Sequence, residues 1–220
     1  MASFAVILPA AGQSTRFASA QGKKTFLDLK GRAVWLRAAE VFVERDDVMQ
    51  TLIVVAPDDV EEFTERFRPN LAFMDVEIVS GGESRMESVA NALERVRDEA
   101  DFVAVHDAAR PFILPQIISD CLEVLNKCEG TAPVIDVSNS MIKLNNGKAT
   151  YVDRSKICEV QTPQCFKKEL ILEVLTDTLE GTDEIGMVLR KFPESQLEFV
   201  KGSLNNAKIT TDSDIKHFTN

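Results

Sequence analysis

Five short apolar runs, separated by stretches with helical spacing, constrain this chain more than any other feature. They are Phe4-Ala5-Val6-Ile7-Leu8, Thr51-Leu52-Ile53-Val54-Val55, Val76-Glu77-Ile78-Val79, Phe102-Val103-Ala104-Val105 and Ala132-Pro133-Val134-Ile135. Runs this short and this apolar read as strands buried on both faces. Between them, Ala33 to Glu44 spaces Val34, Ala38, Val41 and Phe42 as one helical face. Asp58 or Asp59 can cap a helix to about Phe67, Ser84 opens one carrying Val89, Leu93 and Val96, and Leu114 to Leu125 is helical. The alternation predicts the α/β class: a Rossmann-like, mostly parallel sheet with helices on both faces and right-handed crossovers. Ligands of such sheets bind outside the carboxyl ends of the strands. The unusual segments fall there: residues 8 to 24, Gly81 to Ser88, and His106 to Arg110.

The rhythm breaks at about 137–155. Met141 to Leu144, Asn145-Asn146-Gly147 and Ala149 to Val152 read as a β-hairpin, because Asn-Gly favours the tight turns that match strand twist. A two-stranded hairpin is marginal alone. It is therefore expected to protrude as a β-arm and pack on something else, a second subunit being the simplest candidate. After it come a helix from Lys167 to Leu179, another from about Asp183 to Arg190, a strand at Leu197 to Val200, and a last helix that Asp212 can cap.

The first loop, LPAAGQSTRFASAQGKK, combines small residues with cations. Ala10, Ala11 and Gly12 let backbone approach a ligand closely, and their N–H groups can cradle phosphate oxygens. Arg16, Lys23 and Lys24 add positive charge where phosphates would sit. A chain with 35 acidic residues in 220 carries none before Asp28, as expected if a polyanion such as a nucleoside triphosphate docks there. The stretch is neither GxGxxG nor GxxxxGK[ST]. A glycine turn with solvated cations beyond it is the bland alternative.

A formal net charge of −10 argues against nonspecific nucleic-acid binding or an anionic membrane surface. No apolar run reaches 18 residues, so no membrane span is expected. Cys121, Cys128, Cys158 and Cys165 form no CxxC pair and the chain has 2 histidines. They read as small hydrophobes in a reducing cytoplasm rather than a zinc site.

Six motifs in order complete the reading: LPAAGxxxRF…KxxF (Leu8 to Phe26), GGxxRxxSV (Gly81 to Val89), HDAARP (His106 to Pro111), QTPQ (Gln161 to Gln164), TDE (Thr182 to Glu184) and NxKIT (Asn206 to Thr210). Together they resemble the 2-C-methyl-D-erythritol 4-phosphate cytidylyltransferases of the non-mevalonate isoprenoid pathway, over essentially the whole chain. The resemblance implies a single nucleotidyltransferase domain over residues 1–220 that transfers CMP from CTP to a polyol phosphate. It also implies Mg²⁺ as cofactor, a cytoplasmic setting and a homodimer formed through the β-arm.

By the same resemblance, Arg16, Lys24 and Lys208 are the catalytic cations. Ala10, Ala11, Gly12, Gly81, Gly82, Arg85 and Ser88 bind the nucleotide. Asp107, Arg110, Ser140 and Arg154 meet the acceptor, Asp107 also serving Mg²⁺. His106 is expected to buttress its loop, and Asp183 to be a structural or ligand-positioning acid. The chemistry suits those residue types. The nucleophile is the acceptor's own phosphate, already anionic, so the protein needs positioning and positive charge rather than a base. The chain departs from the family pattern at Ser14, Lys23 and Thr25, and in the Asp136-Val137-Ser138-Asn139-Ser140 step, where either Ser138 or Ser140 stands for the usual acceptor-contacting Thr. A ribitol 5-phosphate cytidylyltransferase, or a non-catalytic nucleotide-binding protein on the same fold, are the competing readings.

Overall fold

The computed structural model describes residues 3–12, 26–177, 181–211 and 213–215. The five apolar runs form strands β1 (Phe4–Pro9), β2 (Val48–Val55), β3 (Val76–Ser80), β4 (Phe102–Val105) and β5 (Gly130–Asp136). The hairpin is β6 (Met141–Asn145) and β7 (Lys148–Val152), followed by β8 (Cys158–Val160), β9 (Gln164–Lys167) and β10 (Leu197–Lys201). Helices α1 (Val34–Val43), α2 (Val60–Met74), α3 (Arg85–Leu93), α4 (Pro115–Leu125), α5 (Lys168–Asp177) and α6 (Glu184–Lys191) lie between them.

The main sheet runs β10-β5-β9-β4-β1-β2-β3, with β8 on β5. β1 pairs in parallel with both β2 and β4, so the strand order reverses about β1. That switch point opens a crevice at the carboxyl ends. Alternation along β1 separates the two cores. Phe4, Val6 and Leu8 pack with residues of α1, α2 and α4, while Ala5 and Ile7 pack with residues of α3, α5 and α6. Helices thus cover both faces, as the apolar runs require.

The sheet is mostly parallel, as expected, but sequence did not reveal that β9 lies between β4 and β5 and runs antiparallel to both. With only Cys165 and Phe166 as apolar residues, β9 carries too little pattern to be seen in sequence, yet both are buried, one in each core. Helix α2 also runs past Phe67 to Met74 despite Pro69 within it. Phe63, Phe67, Leu71 and Met74 repeat at helical spacing and are buried. Burying that stripe outweighs the backbone hydrogen bond that proline removes.

Aromatic packing fixes the far side of the first loop. Phe26, two residues beyond Lys24, has its ring 5.1 Å from Phe63, which lies 5.0 Å from Trp35 and 4.9 Å from Phe67. Such pairs add about 0.5–1.5 kcal/mol each beyond area burial. The arm is as expected: Asn146 and Gly147 both take positive φ, 47° and 76°, the geometry of a type I′ turn. Among the described residues its strands pair only with each other, and Ile142, Leu144 and Tyr151 are exposed.

Candidate active site

The carboxyl ends of β1 to β4 converge on a cleft of about 700 Å³. Pro9 ends β1 and Ala10 to Gly12 follow it, Ala56 to Asp58 follow β2, Gly81 to Ser84 follow β3, and Asp107 and Ala109 follow β4; Lys208 enters from the segment after β10. Local sequence explains each wall. Ala10 N–H donates to Val54 O and Gly81 N–H to Val55 O, each at 2.8 Å, tying the first and glycine loops to β2. At Gly81 a Cβ would fall 2.8 Å from Ala11 Cβ and 2.9 Å from Ser88 Oγ. Only glycine lets these two loops touch. Ser88 Oγ accepts from Gly82 N–H at 3.0 Å, and Ser84 caps α3 by accepting from Glu87 N–H at 3.0 Å.

Charge concentrates at one end. Lys208 Nζ lies 2.9 Å from Asp107 Oδ2, Arg110 Nε 3.3 Å from the same oxygen, and Arg85 3.5 Å from Oδ1. Burial alone would raise the Asp107 pKa, but Lys208, then Arg85 and Arg110, more than offset it and hold the carboxyl well below the usual range. Arg85 also makes a two-pronged contact with Glu184, at 2.5 and 3.1 Å. Burial opposes the Arg85 charge, yet Glu184 and Asp107 raise its pKa above the ordinary arginine value. Glu184 is fully buried, and that burial pushes its carboxyl upward against the pull of Arg85.

Neutral contacts hold this cluster in register. The His106 ring bonds to Arg110 O and Thr162 Oγ1, both at 3.1 Å, and Thr162 Oγ1 also accepts from Asp107 N–H. His106 is therefore the expected buttress; burial lowers its pKa to about 4. Asn206 Nδ2 donates to Thr162 O at 2.8 Å, Arg110 donates to Asn206 O at 2.8 Å, and Ile209 N–H to Ala109 O at 2.9 Å. The QTPQ, HDAARP and NxKIT motifs are thus one hydrogen-bonded unit, which is why Lys208 reaches Asp107.

Of the sequence-predicted residues, Ala10, Ala11, Gly12, Gly81, Gly82, Arg85, Ser88, Asp107 and Lys208 line the cleft together. Arg110 joins them through Asp107. Ser140 and Arg154 do not line it; they stand at the base of the arm, where the Arg154 guanidinium donates to Ser138 O. Arg16 and Lys24 lie outside the described residues, as do Ser14, Lys23, Thr25 and Asp212. Asp183 caps α6, accepting from Gly186 N–H at 3.2 Å and from Gln164 Nε2 at 3.1 Å. Sequence reasoning missed Glu184, whose position in the TDE motif was the one available signal. It also missed Asn91, which lines the cleft while donating to Ser80 O at 3.2 Å.

Comparison with known proteins agrees with this geometry. The family profile described as 2-C-methyl-D-erythritol 4-phosphate cytidylyltransferase (IspD) matches residues 4–218. A protein of that name from Acidobacterium capsulatum is 35% identical, over 96% of this chain and 93% of its own. One from Rhodopirellula baltica is 33% identical, over 98% and 93%. Among solved structures, a 4-diphosphocytidyl-2C-methyl-D-erythritol synthase superposes with a TM-score of 0.82 at 26% identity, covering 100% of this chain and 98% of that one. The bifunctional IspDF of Campylobacter jejuni gives 0.83 at 28% identity; the match covers 98% of this chain but 54% of that longer one.

Proposed function

The chain belongs to the 2-C-methyl-D-erythritol 4-phosphate cytidylyltransferase family, and on that premise we propose that its cleft joins CMP from CTP to 2-C-methyl-D-erythritol 4-phosphate. An acceptor phosphate oxygen forms a bond to the α-phosphorus of CTP, the bond from that phosphorus to the β-phosphate bridge breaks, and pyrophosphate leaves. No proton need move, consistent with a site rich in cations. The single observation that carries the reading is the Lys208–Asp107 contact of 2.9 Å at the end of a glycine-walled cleft. It gives two interacting phosphates a cation already oriented by a carboxylate.

The backbone of Ala10 to Gly12 and of Gly81 and Gly82 forms the nucleotide wall, with Ser88 fixing the glycine turn and Arg85 at its edge. Lys208 neutralises charge developing at the α-phosphate, a task shared with Arg16 and Lys24. Each such preorganised donor is worth roughly 3 kcal/mol of barrier. Asp107 and Arg110 bind at the acceptor end, and Ser140 and Arg154 bring the arm to the acceptor of a neighbouring subunit.

Among the described residues no cluster of three or more metal-ligating side chains exists. The donor set, one ionised carboxylate at a phosphate cleft, fits Mg²⁺ that keeps most of its waters and is held largely by substrate phosphates. When bound there it would shield the triphosphate charge. The exposed apolar residues of the arm support a homodimer. Among the described residues no helix is long and apolar enough to cross a membrane; the cytoplasmic setting we propose rests on the family resemblance.

The test is pyrophosphate release from CTP with Mg²⁺. Release with methylerythritol phosphate but not ribitol 5-phosphate supports the reading. Release with ribitol 5-phosphate alone overturns the acceptor assignment, and release with neither leaves a nucleotide-binding protein.

A further inference from the structure

We infer that Glu184 is a positioning residue for the transfer reaction: by holding both terminal guanidinium nitrogens of Arg85, it keeps Arg85 from closing onto Asp107 Oδ1 and leaves Oδ2 facing Lys208. The inference rests on the reaction proposed above.

Three distances carry it. Arg85 is 2.5 and 3.1 Å from the two oxygens of Glu184, but 3.5 Å from Asp107. Lys208 holds Asp107 at 2.9 Å. A single guanidinium spans the two acids, and its tighter, two-pronged contact is with the residue farther from the cleft. Two-pronged arginine–carboxylate pairing fixes orientation as well as distance.

Glu184 does little for its own helix. It is the first residue of α6, where an acid commonly answers exposed helix N–H groups. Beyond its own backbone N–H, the next groups are served by others: Gly186 N–H by Asp183 and Ile185 N–H, at 2.8 Å, by Gln164 Oε1. Nor does stability explain a fully buried acid well. A buried ion pair is often no more stabilising than apolar residues of the same volume. What the acid does supply is charge. Among the described residues the cluster sets Arg85, Arg110 and Lys208 against Asp107 and Glu184, with Asp183 also acting on Arg85 from farther off. Without the Glu184 charge, Arg85 is near enough to close onto Asp107 Oδ1 and turn the carboxylate, drawing Oδ2 away from Lys208.

The experiment is steady-state kinetics on Glu184→Gln, with folding checked by circular dichroism. We expect kcat to fall about tenfold or more, the scale of a misplaced charged group, while KM for CTP stays within about twofold. Glu184→Asp, which keeps the charge, recovers part of kcat. A role confined to stapling α3 to α6 predicts lost stability with kcat kept in the folded protein. Unchanged kcat in Glu184→Gln, or a Glu184→Asp variant no faster than Glu184→Gln, overturns the inference. A wild-type enzyme that releases no pyrophosphate overturns the proposed reaction instead. A crystal structure of Glu184→Gln then decides on its own: Arg85 bonded to Asp107 with Lys208 displaced upholds the inference, and an unmoved Lys208 refutes it.

Discussion

Lys208 Nζ stands 2.9 Å from Asp107 Oδ2, an ion pair joining the turn after β4 to the segment after β10. Because Lys208 is partly exposed to the cleft while Asp107 is buried, the lysine can exchange part of its carboxylate contact for phosphate oxygens. Lys208→Ala should lower kcat by about 100- to 1000-fold, the range for one preorganised donor. KM for CTP should move by less than about threefold. Pyrophosphate-release kinetics at saturating acceptor measure both, and a change confined to KM would mean the lysine only binds.

Gly81→Ala tests the nucleotide wall. The added Cβ meets Ala11 Cβ at 2.8 Å, Ser88 Oγ at 2.9 Å and Val55 O at 3.3 Å, two of them on other strands or their loops. The glycine loop must move away from the first loop. We expect a stability loss of about 1–3 kcal/mol, as for overpacked sites, and weaker CTP binding. Thermal unfolding with and without CTP reads both effects; a variant with wild-type melting and CTP affinity would contradict the close approach.

His106 sets a pH dependence of stability. Its pKa in the folded protein is about 4, against an ordinary value of 6.5. As pH falls through that window the unfolded chain takes up the proton while the folded one does not. Stability is therefore full above about pH 6.5 and declines toward pH 4, by on the order of 3 kcal/mol. Denaturant unfolding of the metal-free protein at several pH values should show this decline, and His106→Gln should flatten it. Equal slopes in the two proteins would assign the acid sensitivity elsewhere.

The arm offers a test of assembly. Ile142, Leu144 and Tyr151 are 57%, 70% and 69% exposed, on a hairpin that pairs with no other strand among the described residues. A hairpin this isolated needs a covering surface. Leu144→Asp should shift sedimentation equilibrium from dimer to monomer while leaving the main-sheet circular dichroism intact. A wild-type protein that already sediments as a monomer removes the homodimer from the proposal.

Much of the fold was legible because its strands are buried on both faces. β1, β2 and β4 announce themselves as apolar runs, and Asn146-Gly147 announces the arm. β9 escaped because its edge residues, Gln164 and Lys167, are polar, so the antiparallel strand in the sheet left no periodic trace. At the site, glycines and the cations of matched motifs were readable, since close approach and phosphate charge demand those residue types. Glu184 was not. In sequence it is an ordinary acid beginning a helix, and the fact that matters, its contact with an arginine on α3, exists only once the chain has folded. Ser88 illustrates a subtler limit: it lines the cleft as its motif suggested, but that it also accepts from Gly82 N–H and shapes the turn was not visible in sequence.

The split origin of the cleft has a consequence for synthesis. Every residue of the nucleotide wall belongs to the half of the chain that leaves the ribosome first, whereas Lys208 follows β10. A nascent chain accordingly owns the glycine walls of the cleft well before it owns the Lys208–Asp107 pair, and strand β4 waits with an unsatisfied edge until β9 arrives beside it.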